Sequence, residues 1–298
     1  MRENSNKSTY ARRHTCVRPS EARLGMRKIG IISRCDRDDV LALVRDIAAH
    51  LSSKAVVLID PRTAEKIQEK GTPVAEMRKA GAEFIVSIGG DGTVLRGIQK
   101  MDDPLPVLGI NMGTIGFLVD VAPEEALEVI DTVLSGFEVE ERSRLTIRVN
   151  DENLPPAANE VVIITASPAK MLSYRIFVDK SPLEEFRADG VVFATSTGST
   201  AYAMSAGGPI VDPRVDGTVI VPLAPFKLSS RPWVVPAKSE IRVELTVPKK
   251  EAVLVIDGQY TRKIKEDDTI VITKADKPAR FVKTGEGGFY EKVRSKLA

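Results

Sequence analysis

The 298-residue sequence predicts an α/β N-terminal domain with a doubly wound sheet, followed by an all-β, sandwich-like C-terminal domain. Three observations carry this expectation. From residue 26 to about residue 121, short β-branched apolar runs alternate with segments of helical periodicity, the pattern of a mainly parallel sheet. Beyond residue 137 short β-rich runs follow one another, separated by the turn sequences Asn150-Asp151, Asp179-Lys180, Asp216-Gly217 and Asp257-Gly258. The length accommodates two domains, each able to bury its own core.

Taken in order, residues 1–25 lack apolar periodicity and hold six basic side chains (Arg2, Lys7, Arg12, Arg13, Arg18, Arg23) against Glu3 and Glu21. They read as a disordered leader without the apolar core of a secretory signal; an organelle transit peptide and an early start codon both account for them. Strands follow at 28–33, 55–59, 84–88 and 106–110, with helices at 38–52, within 61–80 and at 93–101. A helix over 123–135, with Pro123 in its first turn, leads out of an α/β domain spanning 26–136. The β-rich domain, 137–275, carries strands at 145–149, 160–165, 174–178, 191–195, 218–222, 240–247, 253–257 and 269–272. The remainder, 276–298, is expected to end in a helix packed back on the first domain.

Composition narrows the function. Hydrophobic content of 43% and charged content of 28% are ordinary for a globular chain, and no apolar run reaches membrane-spanning length, so a soluble protein with no membrane partner is expected. The formal charge of +2 comes from the leader and leaves the body slightly acidic, which argues against nucleic acid. Cys16 and Cys35 make neither a disulfide framework nor a metal cluster and suit a reducing, cytoplasmic setting. With His14 and His50 the only histidines, acid–base work falls to carboxylates, lysines or metal-bound water.

The densest stretch is Gly89-Gly90-Asp91-Gly92-Thr93, where a buried strand turns into a helix that Thr93 could cap. Three glycines expose backbone N–H groups, and a helix dipole adds positive potential at the same point, which suits a phosphate. A carboxylate is unfavourable there unless Asp91 handles a proton, a hydroxyl or a metal ion; a plain tight turn is the competing reading. A second Gly-rich turn, Asn111-Met112-Gly113-Thr114-Ile115-Gly116-Phe117-Leu118, lies at the same sheet edge or merely reverses the chain.

In the second half, residues 189–209 run from a strand into a turn of hydroxyl and small side chains, able to hold a flat ligand without charge. Asn159-Glu160 offers an amide and a carboxylate for vicinal ribose hydroxyls, or simply starts a strand. Arg187 and Asp189 alternate onto one strand face. Asp257-Gly258-Gln259 reads as a hairpin turn whose Gln259 could also bond a base or ribose. Lys170, Arg187 and Arg96 are candidate phosphate contacts, or solvated surface charges.

These motifs, with Gly109-Ile110 before the second turn and Leu223-Ala224-Pro225-Phe226-Lys227-Leu228-Ser229-Ser230-Arg231-Pro232, occur in an order that resembles the NAD kinase family from Met26 to the C-terminus. The resemblance implies a phosphofructokinase-like first domain and phosphoryl transfer from ATP or polyphosphate to the 2′-hydroxyl of the adenosine ribose of NAD. It implies Asp91 as catalytic base, and Gly89, Gly90, Gly92, Thr93 and Arg96 around the donor phosphates. For NAD it implies Asp91, Gly92, Asn159, Glu160, Lys170, Arg187, Asp189, Thr200, Ala201, Tyr202, Ala203, Met204, Ser205, Ala224 and Gln259. Mg²⁺ or another divalent cation would arrive with the donor phosphates rather than on protein ligands, and the assembly would be a homodimer or homotetramer. Ser196 and Phe226 depart from the family's usual Thr-Pro-Thr-Gly and Cys-Pro-His sequences, which puts donor or dinucleotide preference in doubt. A lipid kinase sharing the Gly-rich loop and a non-catalytic dinucleotide sensor remain open alternatives.

Overall fold

The computed structural model describes residues 15–17, 26–113, 116–167, 169–246, 251–285 and 288–297. Most of the expected leader, Thr114 and Ile115 of the second Gly-rich turn, Val247 of the strand expected over 240–247, and Glu286 and Gly287 near the terminal helix lie outside them.

The first half runs β1 (Thr15–Val17), β2 (Arg27–Ser33), α1 (Asp38–Leu51), β3 (Ala55–Ile59), α2 (Pro61–Ile67), α3 (Val74–Met77), β4 (Ala82–Gly89), α4 (Asp91–Gln99), β5 (Val107–Asn111), α5 (Ala126–Ser135) and β6 (Phe137–Arg142). The second runs β7 (Leu145–Val149), β8 (Glu152–Ala157), β9 (Glu160–Thr165), β10 (Leu172–Val178), β11 (Ser181–Ala188), β12 (Gly190–Thr195), α6 (Tyr202–Ser205), β13 (Gly217–Leu223), β14 (Trp233–Pro236), β15 (Ile241–Leu245), β16 (Ala252–Ile256), β17 (Tyr260–Ile264), β18 (Ile270–Lys274), β19 (Ala279–Val282) and α7 (Phe289–Leu297).

Helices form where apolar spacing gives them one face to bury. In α1 that face is Val40, Leu41, Val44, Ile47 and Leu51, and Asp38 and Asp39 meet the positive end of the dipole. In α2, Pro61 occupies the first turn and the Asp60 side chain accepts from Arg62 N–H at 3.2 Å. Five parallel strands lie in the order β19-β5-β4-β2-β3, so β4 is central and buried almost throughout. Its carboxyl end carries Gly89.

Two six-stranded antiparallel sheets follow, β11-β10-β15-β18-β7-β8 and β14-β13-β12-β9-β16-β17. Their inner faces share one core, in which Ile147, Tyr174, Val243 and Ile270 of one sheet meet Ile163, Val191, Phe193 and Leu254 of the other. The sandwich expected from the turn spacing is the architecture found.

Several expectations need correction. Thr15–Val17, expected in a disordered leader, pairs antiparallel with β6 and forms an edge of the first sheet. β6, expected to open the β-rich half, belongs to that seven-stranded sheet too, and β19 sits between β6 and β5. Helix α4 starts at Asp91 with Gly90 as its cap residue, so Thr93 lies inside the first turn and caps nothing. The strands not anticipated are β1, β6, β8, β11, β14, β17 and β19; all but β6 and β19 are sheet edges. An edge strand tolerates prolines such as Pro155 and Pro156 and charges such as Glu184 and Glu185, so it lacks the apolar signature of a covered strand. Among the described residues no helix is long and apolar enough to cross a membrane.

One buried cation ties the two halves. Arg144, 1% exposed, donates to the carbonyls of Lys277 at 2.8 Å, Met101 at 3.3 Å and Asp102 at 2.6 Å. Met101 and Asp102 follow Lys100, the residue that caps α4, and their oxygens present partial negative charge to the guanidinium. Arg144→Ala leaves buried carbonyls without donors and is expected to cost about 3 kcal/mol in chemical denaturation. A loss under about 1 kcal/mol would show that the brace carries no weight.

Candidate functional site

The site begins where β4 ends. Gly89 has φ +154°, and a Cβ there would stand 2.4 Å from Thr93 Oγ1, so the turn into α4 admits only glycine. Thr93 is buried beneath the loop instead of lining it. Gly90 and Gly92 are different: nothing lies within 4 Å of where a Cβ would sit, and neither has a positive φ. The fold does not require glycine at these two positions. Their open space faces the first amides of α4, where an anion is favoured.

Asp91 is fixed from the neighbouring turn. Phe117 N–H donates to its Oδ2 at 2.8 Å and Leu118 N–H to Oδ1 at 3.1 Å. A Cβ on Gly116 would lie 2.0 Å from Oδ1, so the second Gly-rich turn closes on the carboxylate only because residue 116 has no side chain. These two amides are what lets a carboxylate stand at the loop.

The opposite wall is organised by Asp257. It sits in the β16–β17 hairpin turn, where Asp257 (φ +48°) and Gly258 (φ +64°) both take positive φ, as the Asp-Gly pair predicts. Its buried carboxylate accepts from the N–H groups of Ala158 (2.7 Å), Asn159 (2.8 Å) and Glu160 (2.9 Å). Gly198 then packs against this segment, since a Cβ would be 2.1 Å from Asn159 O. Asn159 Oδ1 and Glu160 Oε2 are buried and without a hydrogen-bond partner among the described residues, a state that a bound ligand would relieve. Burial, reinforced by the Asp257 charge, pushes the Glu160 carboxyl up to about 8. Burial also raises Asp257 against the pull of its three amide donors.

Between these walls lies a cavity of about 690 Å³, lined by Asp91, Phe117 and Leu118 on one side and by Asn159, Thr197, Thr200, Ala201, Met204 and Ser205 on the other. Ser295 and Lys296 of α7 close it. That helix reaches both halves: Lys292 pairs with Asp120 at 2.5 Å, the Lys296 ammonium lies 4.0 Å from the Phe117 ring centroid, and Tyr290 O–H donates to Asp212 at 2.8 Å. A volume near 700 Å³ with a mixed polar and apolar lining suits a ligand of nucleotide size.

Not every expected residue is there. Ala203 is fully buried in the core with Val192, Val219 and Val221, and Tyr202 is 43% exposed outside the cavity. Glu160 is buried and is not among the lining residues, its carboxylate meeting the Tyr202 N–H, and Gln259 is exposed on the hairpin turn. Arg96 turns away, donating to Ser33 O at 2.6 Å. Lys170, Arg187, Asp189 and Ala224 gather at the other end of the sandwich. There Asp189 N–H bonds Leu223 O at 3.0 Å, Thr165 N–H bonds Asp189 O at 2.8 Å, and Ala224 is exposed with φ +46°. The length of β12 separates them from Thr195, about 17 Å at about 3.3 Å per residue. Arg187 and Asp189 do not share a strand face, because β11 stops at Ala188 and Asp189 forms the bend where the chain crosses between sheets. Phe226 belongs to this far end, under the Arg187 guanidinium at 5.5 Å, and not beside the cavity.

Phe117, Leu118, Thr197, Ser295 and Lys296 were not foreseen. Three stand within motifs already singled out by sequence, but only the folded chain brings α7 to the cavity.

Fold and loop together define a kinase-type phosphotransferase. A model of the ATP-NAD kinase N-terminal domain matches residues 29–137, and one of the ATP-NAD kinase C-terminal domain matches residues 158–284. The chain belongs to the NAD kinase family. The NAD kinase of Methanosarcina acetivorans is 57% identical over 275 residues, covering 92% of this chain and 100% of that protein. That of Methanothermobacter thermautotrophicus is 46% identical over 275 residues, covering 91% and 96%. Among solved structures, yeast NADH kinase complexed with NADH matches with a TM-score of 0.84 at 25% identity, over 91% of this chain and 87% of that one. An NAD kinase from Archaeoglobus fulgidus in complex with ATP matches with a TM-score of 0.76 at 32% identity, over 90% and 99%. Family membership sets aside the lipid-kinase alternative.

Because the folded chain holds a proton on Glu160 that the unfolded chain releases near pH 4.5, stability contributed by neutral Glu160 is complete below that pH and is lost as pH rises to about 8. Thermal melts should therefore show wild type losing stability relative to Glu160→Gln between pH 5 and 8. Parallel pH profiles would mean that Glu160 ionises normally.

Proposed function

We propose that the chain transfers the terminal phosphoryl group of ATP or inorganic polyphosphate to the 2′-hydroxyl of the adenosine ribose of NAD, giving NADP. Carrying the reading is the fixed Asp91 carboxylate, on the boundary between an open Gly-rich loop and a nucleotide-sized cavity.

In the reaction, Asp91 takes the proton of the hydroxyl while the 2′-oxygen forms its bond to phosphorus. The bond from phosphorus to the bridging oxygen breaks, and ADP or a shortened polyphosphate leaves. Amides at Gly90 to Gly92 and the positive end of α4 meet the charge on the transferring group, and positioning supplies most of the remaining acceleration. Asn159 offers its unpartnered Oδ1 to a ribose hydroxyl, and Thr200, Ala201, Met204 and Ser205 shape the dinucleotide wall. Among the described residues no three His, Cys, Asp or Glu side chains gather into a metal site. A divalent cation such as Mg²⁺ would be borne by the donor's own phosphates, with Asp91 as the carboxylate nearest the loop; when bound it neutralises phosphate charge.

Lys170, Arg187, Asp189 and Ala224 can serve NAD only from a neighbouring copy. We therefore read the enzyme as a homodimer or homotetramer in which the far end of one sandwich faces the cavity of the next. Exposed Phe226, Leu228, Trp233 and Val234 near that end support this arrangement.

Incubation with NAD, Mg²⁺ and each donor tests the activity, and failure to form NADP with any donor would sink it. Asp91→Asn is expected to lower kcat by about 10²–10⁴-fold while dinucleotide affinity stays within a few-fold; unchanged turnover would remove Asp91 from the mechanism. Mixing Asp91→Asn with Asp189→Asn subunits should restore activity that each lacks alone. No restoration after subunit exchange would count against a shared site.

A further inference from the structure

A dinucleotide carries its negative charge in a central pyrophosphate, yet the cavity of about 690 Å³ holds little charge of its own. Among the described residues that line it only Asp91 and Lys296 are charged; the others offer hydroxyls, an amide and apolar surface. With Asp91 alone the cavity would repel a pyrophosphate, so Lys296 is the one cation with which the chain offsets that repulsion in its own cavity. Cations are not scarce on the other side of the loop. There, beyond β2, a smaller cavity of about 390 Å³ gathers Arg34, Arg62, Lys66 and Arg96.

The place of Lys296 follows from how α7 is held. None of the described residues of this helix is buried, so hydrophobic packing does not fix it. Polar contacts do: Tyr290 O–H donates to Asp212 at 2.8 Å, and Lys292 pairs with Asp120 at 2.5 Å. Asp120 lies two residues beyond Leu118, whose N–H holds the Asp91 carboxylate. The Lys292 pair therefore pins α7 beside the turn that fixes Asp91. Lys296 stands four residues on, on the same helix face, with its ammonium 4.0 Å from the Phe117 ring centroid. The ring covers one side of that ammonium. No carboxylate pairs with it among the described residues, and the side chain is exposed, so its N–H donors are free for a ligand.

We propose that Lys296 is a binding and specificity residue for the acceptor: its ammonium meets the pyrophosphate of the dinucleotide, and the C-terminal helix is thereby part of the acceptor site. The proposal rests on the kinase reading above. With the 2′-hydroxyl of the adenosine ribose at Asp91, the first phosphate leaves the same ribose through its 5′-carbon and lies one sugar from the carboxylate that Phe117 N–H holds. A flexible lysine stem laid over the Phe117 ring serves that region. The contact makes the enzyme favour acceptors that carry a pyrophosphate over nucleosides that lack one. Because it is made to the bound acceptor before transfer and kept during it, it acts on KM for NAD; a cation acting on the phosphoryl group in flight would act on kcat.

The test uses the full chain with Mg²⁺ and saturating donor. Lys296→Met keeps an unbranched side chain over Phe117 without the charge. In this variant KM for NAD is expected to rise about five- to tenfold, with kcat and donor KM within about twofold of wild type. Lys296→Arg, which keeps the charge, should restore most of the affinity. ADP-ribose, which has the pyrophosphate, and adenosine, which lacks it, serve as competitive inhibitors against NAD. In Lys296→Met the inhibition constant of ADP-ribose should rise in step with KM for NAD while that of adenosine stays within about twofold. Raising KCl from about 0.05 to about 0.5 M should increase KM for NAD more steeply in wild type than in Lys296→Met. Lys292→Gln, which frees α7 from Asp120, should raise KM for NAD as well, and should add little to Lys296→Met. Equal losses for adenosine and ADP-ribose would show that Lys296 merely supports Phe117 and would overturn the proposal. An unchanged KM for NAD in Lys296→Met, or a fall confined to kcat, would do the same. No NADP from wild type with any donor would sink the kinase reading, whereas NADP formation with an unaffected Lys296→Met variant would sink the role of Lys296 alone.

Discussion

Two amide hydrogen bonds to one carboxylate hold the centre of this protein together. The Asp91 side chain joins the turn after β4 to the turn after β5 through Phe117 and Leu118, and each bond to the charged group is worth about 1.5–3 kcal/mol. The arrangement needs Gly89 to start the turn, Gly116 to leave room for an oxygen, and a central β4 to present both turns on one sheet edge. Lys296 then lies over Phe117, so the C-terminal helix reports on the same turn that holds the carboxylate. A shift in any of these parts moves Asp91.

The second half supplies the opposite wall by the same device. Asp257 accepts three successive amides and thereby fixes the path of Ala158 to Glu160, just as Asp91 fixes the path of Phe117 and Leu118. The cost is a pair of acids in a poorly solvated place. Asp257 accepts from three amides and Glu160 only from the Tyr202 N–H, so the proton resides on Glu160. A neutral Glu160 beside Asn159 suits a dinucleotide that already carries negative charge, because a second anion there would repel it.

Charge is distributed unevenly around the loop. The β5 side is largely uncharged apart from Asp91 and Lys296, whereas the β2 side carries four cations. The two cavities about one Gly-rich loop therefore differ in the charge they present. Parallel strand order makes it possible, since β4 has neighbours on both sides at its carboxyl end.

By itself the sequence determined whatever is encoded locally. Covered strands such as β4 and β12 announce themselves by continuous apolar residues, α1 by its spacing, the β16–β17 turn by Asp-Gly, and the anion-receptive loop by Gly89 to Gly92. Edge strands were illegible because half of each meets water or carries proline, and pairing alone makes them strands. The site was only partly legible for a related reason: a motif names residues, but strand direction decides at which end they stand. Asn159 and Asp189 lie at opposite ends of paired strands although both belong to expected binding segments, and Ala203 faces the core where the next residue, Met204, faces the cavity. Tertiary structure alone brought Lys296 to the cavity, set Asp257 under Asn159, and placed Arg34, Arg62, Lys66 and Arg96 around one space, because contacts between residues far apart in the chain depend on packing that no local pattern records.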